Sequence, residues 1–151
     1  MSRSRLVTLH GVSGAAALGL VACFWSLALW CELGASAATV VVLRQGILYA
    51  LPLLVLALAT AGASGARLAG RVPGPAARAK LRRMRLAAVN GLLVMIPAAV
   101  FLGLRARAGD LSGPYATVQA VELCAGAVNI VLLGRNLAAG LAMRARAPRR
   151  A

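Results

Sequence analysis

Acidic residues are nearly absent from this chain: Glu32, Asp110 and Glu122 are the only three among 151 residues. Histidine is scarcer still, and with His10 alone a bis-His haem or a zinc or copper centre built from several imidazoles is excluded within one chain. Cys23, Cys31 and Cys124 form an odd set without CxxC spacing. A disulfide framework or thiolate zinc site is therefore not indicated, and the thiols read as small hydrophobes. No GxGxxG, Walker loop, GxSxG or HExxH occurs. Enzyme chemistry has no visible carrier, and no cofactor is expected.

What is abundant is apolar. Hydrophobic residues make up 61% of the chain, with a mean hydropathy of +0.83, whereas soluble domains carry roughly 45–50%. The excess needs a sink larger than a protein core, and lipid supplies one. The 17 basic residues, 16 of them Arg, would suggest nucleic acid in a soluble chain. Here they fall between apolar runs, which makes them a topology signal, and no nucleic-acid partner is expected. The Ala, Gly, Leu, Val and Arg bias is that of coding in a GC-rich bacterial genome.

A spanning helix needs about 20 mainly apolar residues. Four segments meet that requirement: about 12–30, 38–63, 86–104 and 114–135. The expected fold is an all-α integral membrane bundle of four transmembrane helices in a single domain. Pro52 and Pro97 lie inside the second and third spans, where membrane helices tolerate proline. Residues 67–85, with Pro73, Pro75, Lys80 and six arginines, read as a basic loop with a helical end, and 136–151 as a helical basic tail.

Cytoplasmic flanks retain positive charge. Arg3 and Arg5, the seven cations of the 67–85 loop and the five from Arg135 onward place 14 cations on one side. Arg44, Arg105 and Arg107 place three on the other, together with Glu32 and Asp110. Both termini and the middle loop are therefore expected in the cytoplasm, on a bacterial inner membrane, with the basic segments against anionic headgroups. A competing interpretation makes Arg3 and Arg5 the start of a signal peptide cleaved near Ala35-Ser36-Ala37. The first apolar run is about 20 residues, where such a region has roughly 7–15.

The fourth span carries the most information. Tyr115, Gln119, Glu122, Gly126, Asn129 and Asn136 fall at spacings of 4, 3, 4, 3 and 7 and occupy one narrow helical stripe. An intramembrane acid costs about 2.5–3.5 kcal/mol on insertion scales, so the stripe is expected to face protein. Glu122, Gln119, Asn129 and Arg44 form the candidate intramembrane polar site. Glu122 is either an ion, proton or substrate site or a carboxyl that fixes packing. Arg44 is its natural partner by charge, but counted from the basic inner ends the two lie at different depths. Glu122 is 13 residues, about 20 Å, from Arg135, and Arg44 is 23 residues, about 35 Å, from Arg67. The alternative is Arg44 snorkelling to the outer headgroups. Asn90 and Asn129 both sit roughly 8–9 Å from the inner boundary and are expected to form a structural hydrogen-bonded pair. In the first span Gly11, Ala15, Gly19 and Cys23 repeat every four residues, a small-xxx-small pattern expected to admit a close intramolecular helix contact.

The segments Asn90-Gly91-Leu92-Leu93 and Pro97-Ala98-Ala99, followed by Gln119, Glu122-Leu123, Gly126-Ala127, Asn129 and Arg135-Asn136, resemble those of small uncharacterised four-helix bacterial inner-membrane proteins. That resemblance implies the architecture and no activity. Helix number and a single membrane Glu also resemble the small multidrug exporters, which carry the acid in their first helix instead. Three functions are consistent with these features. They are a non-enzymatic accessory or assembly subunit docked on a membrane protein partner, an oligomeric transporter or channel protomer using Glu122, and the membrane anchor of a redox complex.

Overall fold

The computed structural model describes residues 2–70 and 74–145. It is all-helical, and its four long helices are each long and apolar enough to cross a membrane. They are α1 (Arg3–Leu33), α2 (Ala37–Ala69), α3 (Pro75–Arg107) and α4 (Pro114–Ala145). All extend beyond the apolar runs that announced them.

Local chemistry sets the helix ends. Ser2 caps α1 and Ser36 caps α2, each hydroxyl accepting a backbone N–H three residues on, from Arg5 (3.4 Å) and Thr39 (3.2 Å). The Ala35-Ser36-Ala37 run is thus the α1–α2 turn, entered through Gly34 at φ 129°, a backbone angle open mainly to glycine. Pro75 starts α3 at the first helical position, where a missing N–H costs nothing. The basic segment expected as a loop with a helical end is mostly helix, because Ala, Arg, Lys, Leu and Met from Ala76 to Leu86 are strong helix formers. Its Arg71 and Pro73 lie outside the described residues, as does the basic tail beyond Ala145.

Within α3 the residues Gly91–Met95 form a π turn, with the Ile96 N–H reaching the Gly91 carbonyl five residues back. Pro97 follows directly and has no N–H to give Leu93. The widened turn absorbs that mismatch without ending the helix.

The four helices form a ring. α1 and α3 each pack on α2 and α4, and neither diagonal pair, α1 with α3 or α2 with α4, comes into close backbone approach. Close packing across the ring uses glycine where bulk would collide. A Cβ on Gly103 would stand 2.3 Å from Leu48 Cδ1, and one on Gly126 would stand 2.7 Å from Trp25 Cδ1. Ala17, Val21 and Leu54 form one core layer, and Val40, Leu102, Ala106 and Tyr115 another. The outward surface is apolar on every helix, including Val12, Tyr49, Leu93 and Val128.

Candidate functional site

All six stripe residues of α4 are buried, whereas Val121 and Val128 on the opposite face are about half exposed (48% and 51%). The stripe falls into three polar layers. The uppermost centres on Arg44 of α2, 1% exposed. Its Nη1 meets Glu122 Oε2 at 2.6 Å, its Nη2 donates to Gln119 Oε1 at 2.9 Å and its Nε donates to the Tyr115 hydroxyl at 3.3 Å. Gln119 in turn donates through Nε2 to Glu32 of α1. Val40, Leu102 and Ala106 wall this network, with Cys31 and Phe101 packed beside them.

The Arg44–Glu122 salt bridge crosses a ring diagonal where the backbones do not meet, a gap that the two long side chains span together. The apparent mismatch in depth disappears when residues are counted from the helix starts. Arg44 is seven residues past Ala37 and Glu122 eight past Pro114, so both lie about 10–12 Å down their helices. The basic ends misled because Arg67 lies two residues from the end of α2 while Arg135 lies ten from the end of α4.

The middle layer joins α3 to α4. Asn90 Nδ2 donates to Asn129 Oδ1 at 2.9 Å and to the Ala125 carbonyl at 2.8 Å. Asn129 Nδ2 donates to the Ala87 carbonyl at 3.3 Å and contacts Met95 Sδ at 3.1 Å. The pair thus ties α4 to the helix just before the π turn and to the turn's last residue. Between the two layers, Gly126 accommodates the Trp25 indole, whose Nε1 donates to the Leu123 carbonyl at 2.9 Å.

The third layer was not anticipated. His10 is bound in the bundle: Nδ1 lies 3.0 Å from the Ala61 carbonyl and 3.2 Å from Ser64 Oγ. A carbonyl only accepts, so Nδ1 carries the proton, and Nε2 is free to accept from Lys80 Nζ of α3 at 3.2 Å. This contact spans the other diagonal. Asn136 completes the layer, accepting from Arg83 Nε at 2.8 Å and donating to the Lys80 carbonyl at 3.3 Å. Only Asn136 belongs to the stripe read from sequence; His10, Ser64, Lys80 and Arg83 come from the other three helices and share no spacing with it.

The small-residue repeat of α1 is a correction. Gly11, Ala15, Gly19 and Cys23 face outward, and nothing lies within 4 Å of where a Cβ on Gly11 or Gly19 would be. Ser13, Ala17, Val21 and Ala28 form the buried face instead, because their steps of 4, 4 and 7 follow the groove between α2 and α4.

Outside the spans, Arg105 and Asp110 pair at 2.9 Å in the α3–α4 turn. Asp110 Oδ1 also accepts the Ser112 hydroxyl (2.8 Å) and the Ser112 N–H (3.1 Å), and these bonds hold its carboxyl below the usual aspartate range. Among the described residues no three His, Cys, Asp or Glu side chains converge as a metal site would require, and all three cysteines are free. No family model matches this sequence, and no curated protein or solved structure matches it.

Proposed function

We propose that the chain is a multi-pass protein of a bacterial inner membrane, with both termini in the cytoplasm, acting as a non-catalytic accessory or assembly subunit of a membrane complex. The observation that carries this proposal is the saturation of its buried polar groups. Each of the three nitrogens of Arg44 has a protein acceptor, and Glu122 meets one of them. Among the described residues the sole buried side-chain nitrogen or oxygen without a partner is Arg105 Nε. A transporter or channel protomer working through Glu122, Gln119 and Asn129 needs at least one of them available to an ion or substrate. All three are engaged in helix-to-helix bonds, Glu122 through Oε2.

Charge supports the orientation. At the end bearing the α1–α2 and α3–α4 turns, Arg44, Arg105 and Arg107 are matched in number by Glu32, Asp110 and Glu122, so the +14 of the chain belongs to the other end. Such a difference holds that end in the cytoplasm, where anionic headgroups contribute about 1 kcal/mol per nearby cation. The outward apolar faces of all four helices suit lipid or a helical partner.

Two measurements test this. Reporter fusions within residues 70–74 and after Ala145 are expected to report cytoplasm, and fusions at Ser36 and Gly109 periplasm; a periplasmic C-terminus overturns the orientation. Purification in mild detergent is expected to bring down a membrane protein partner equally well with wild type and Glu122→Gln. Loss of an ion or substrate flux in Glu122→Gln, with the protein folded and abundant, establishes transport instead.

A further inference from the structure

At the basic end the ring opens into a cleft of about 510 Å³ between all four helices, within the range of roughly 300–1,000 Å³ typical of small-molecule sites. Its walls are apolar, with Leu68 from α2, Leu81 and Met84 from α3, and Leu133 and Leu137 from α4. Gly14 adds no bulk on α1, and Gly65 of α2 lets His10 and Met84 pack against its backbone.

The charged groups that line this cleft are of one sign. Arg3 and Lys80 contribute cations, His10 turns its acceptor nitrogen to Lys80, and Asn136 is an uncharged amide bound to Arg83 and the Lys80 carbonyl. The Lys80 ammonium lies 3.3 Å from where a Cβ on Gly140 would be, so glycine at that position lets the cation lie across α4. One of its three N–H groups is used by His10, and no acid answers the charge. Glu32, Asp110 and Glu122 are all at the opposite end of the bundle, and among the described residues neither Arg3 nor Lys80 has an ion-pair partner.

We propose that this cleft binds one anionic phospholipid, with its phosphate on Lys80 and Arg3 and an acyl chain against Leu81, Met84, Leu133 and Leu137. This rests on the membrane placement proposed above. The apolar walls would be idle around a free inorganic anion, and a zwitterionic headgroup would find no carboxylate for its ammonium. An anionic amphiphile satisfies both halves of the cleft.

The test is a titration of the full chain in a neutral maltoside detergent with phosphatidylglycerol or phosphatidylcholine, read by native mass spectrometry. One phosphatidylglycerol is expected per chain, bound at least fivefold more tightly than phosphatidylcholine. Lys80→Gln is expected to weaken phosphatidylglycerol about fivefold, the effect of one nearby cation. Arg78→Gln removes the same charge from an exposed position outside the cleft and is expected to change nothing. Leu137→Trp fills the cleft without altering charge and is expected to abolish binding while circular dichroism stays helical. Equal binding of the two lipids, equal losses in Lys80→Gln and Arg78→Gln, or displacement of phosphatidylglycerol by equimolar inorganic phosphate overturns the lipid site. Carbonate extraction of cell membranes separates the two proposals. A chain released by carbonate overturns membrane placement, whereas a retained chain without lipid preference overturns the cleft alone.

Discussion

Replacing Glu122 by leucine removes one half of the diagonal salt bridge and leaves Arg44 charged, 1% exposed and walled by Val40, Leu102 and Ala106. Breaking a buried pair in this way costs about 3–5 kcal/mol, most of it from stranding the remaining charge. The lower figure is expected, because Arg44 keeps its bonds to Gln119 and Tyr115. About 3 kcal/mol lowers the folded-to-unfolded ratio more than a hundredfold. Glu122→Gln retains an oxygen for Arg44 Nη1 and loses only the charge assistance, at about 1–2 kcal/mol. Arg44→Met combined with Glu122→Leu removes both charges and should recover most of the loss.

Unfolding by sodium dodecyl sulfate in mixed micelles provides the assay. Trp25 reports it directly, since its indole packs on Gly126 and bonds to Leu123. Trp30, 65% exposed, is changed to Phe to remove background. The reasoning is refuted if Glu122→Leu costs less than about 1 kcal/mol, or if the double variant is no more stable than the worse single one.

Gly103→Ala drives a methyl group into Leu48 and should destabilise by about 1–3 kcal/mol in the same titration, with Leu48→Ala restoring the loss. Asn129→Leu removes one of the two acceptors of Asn90 and the side-chain bond to the Ala87 carbonyl, while Asn90 keeps the Ala125 carbonyl and Ala87 keeps the Gly91 N–H; a cost near 1 kcal/mol, between the membrane average of about 0.6 and the maximum of about 1.7, is expected. Asp110 has a depressed folded pKa, so its contribution to the α3–α4 turn is present above the ordinary aspartate value and is lost as pH falls through the lower folded one. Hydrogen exchange at Ser112 N–H should therefore stay protected at pH 5 and accelerate only in stronger acid, and Asp110→Asn should exchange fast throughout.

Element number and the inward face of α4 were legible because hydrocarbon is a stringent solvent. A Gln, Glu and two Asn in an otherwise Val, Ala and Leu helix have one direction in which they can be satisfied, so their spacing alone orients the helix. The vertical match of Arg44 and Glu122 was not legible, because it depends on where helices begin, and Ser36 and Pro114 mark those starts more faithfully than the arginines mark the ends. Residues 75–90 carry high charge and two nearby prolines, which suggest a loop, but proline at a helix start extends the helix outward. The outward turn of Gly11, Ala15 and Gly19 was hidden because α1 carries a second run of small residues, Ser13 and Ala17, one face away. The meeting of His10 and Lys80 requires two helices 70 residues apart that never touch along their backbones.

The diagonal salt bridge also fixes an order of events during synthesis. Arg44 and Glu122 are 78 residues apart in the chain, so at about 5–20 residues per second the arginine leaves the ribosome about 4–16 s before its counter-ion. On the membrane placement proposed above, α2 would enter the bilayer during that interval with an unpaired guanidinium, which could snorkel to the headgroups along its aliphatic stem until α4 brings Glu122. The ring can therefore close only after α4 is made, and a chain stopped before Glu122 leaves Arg44 without its counter-ion.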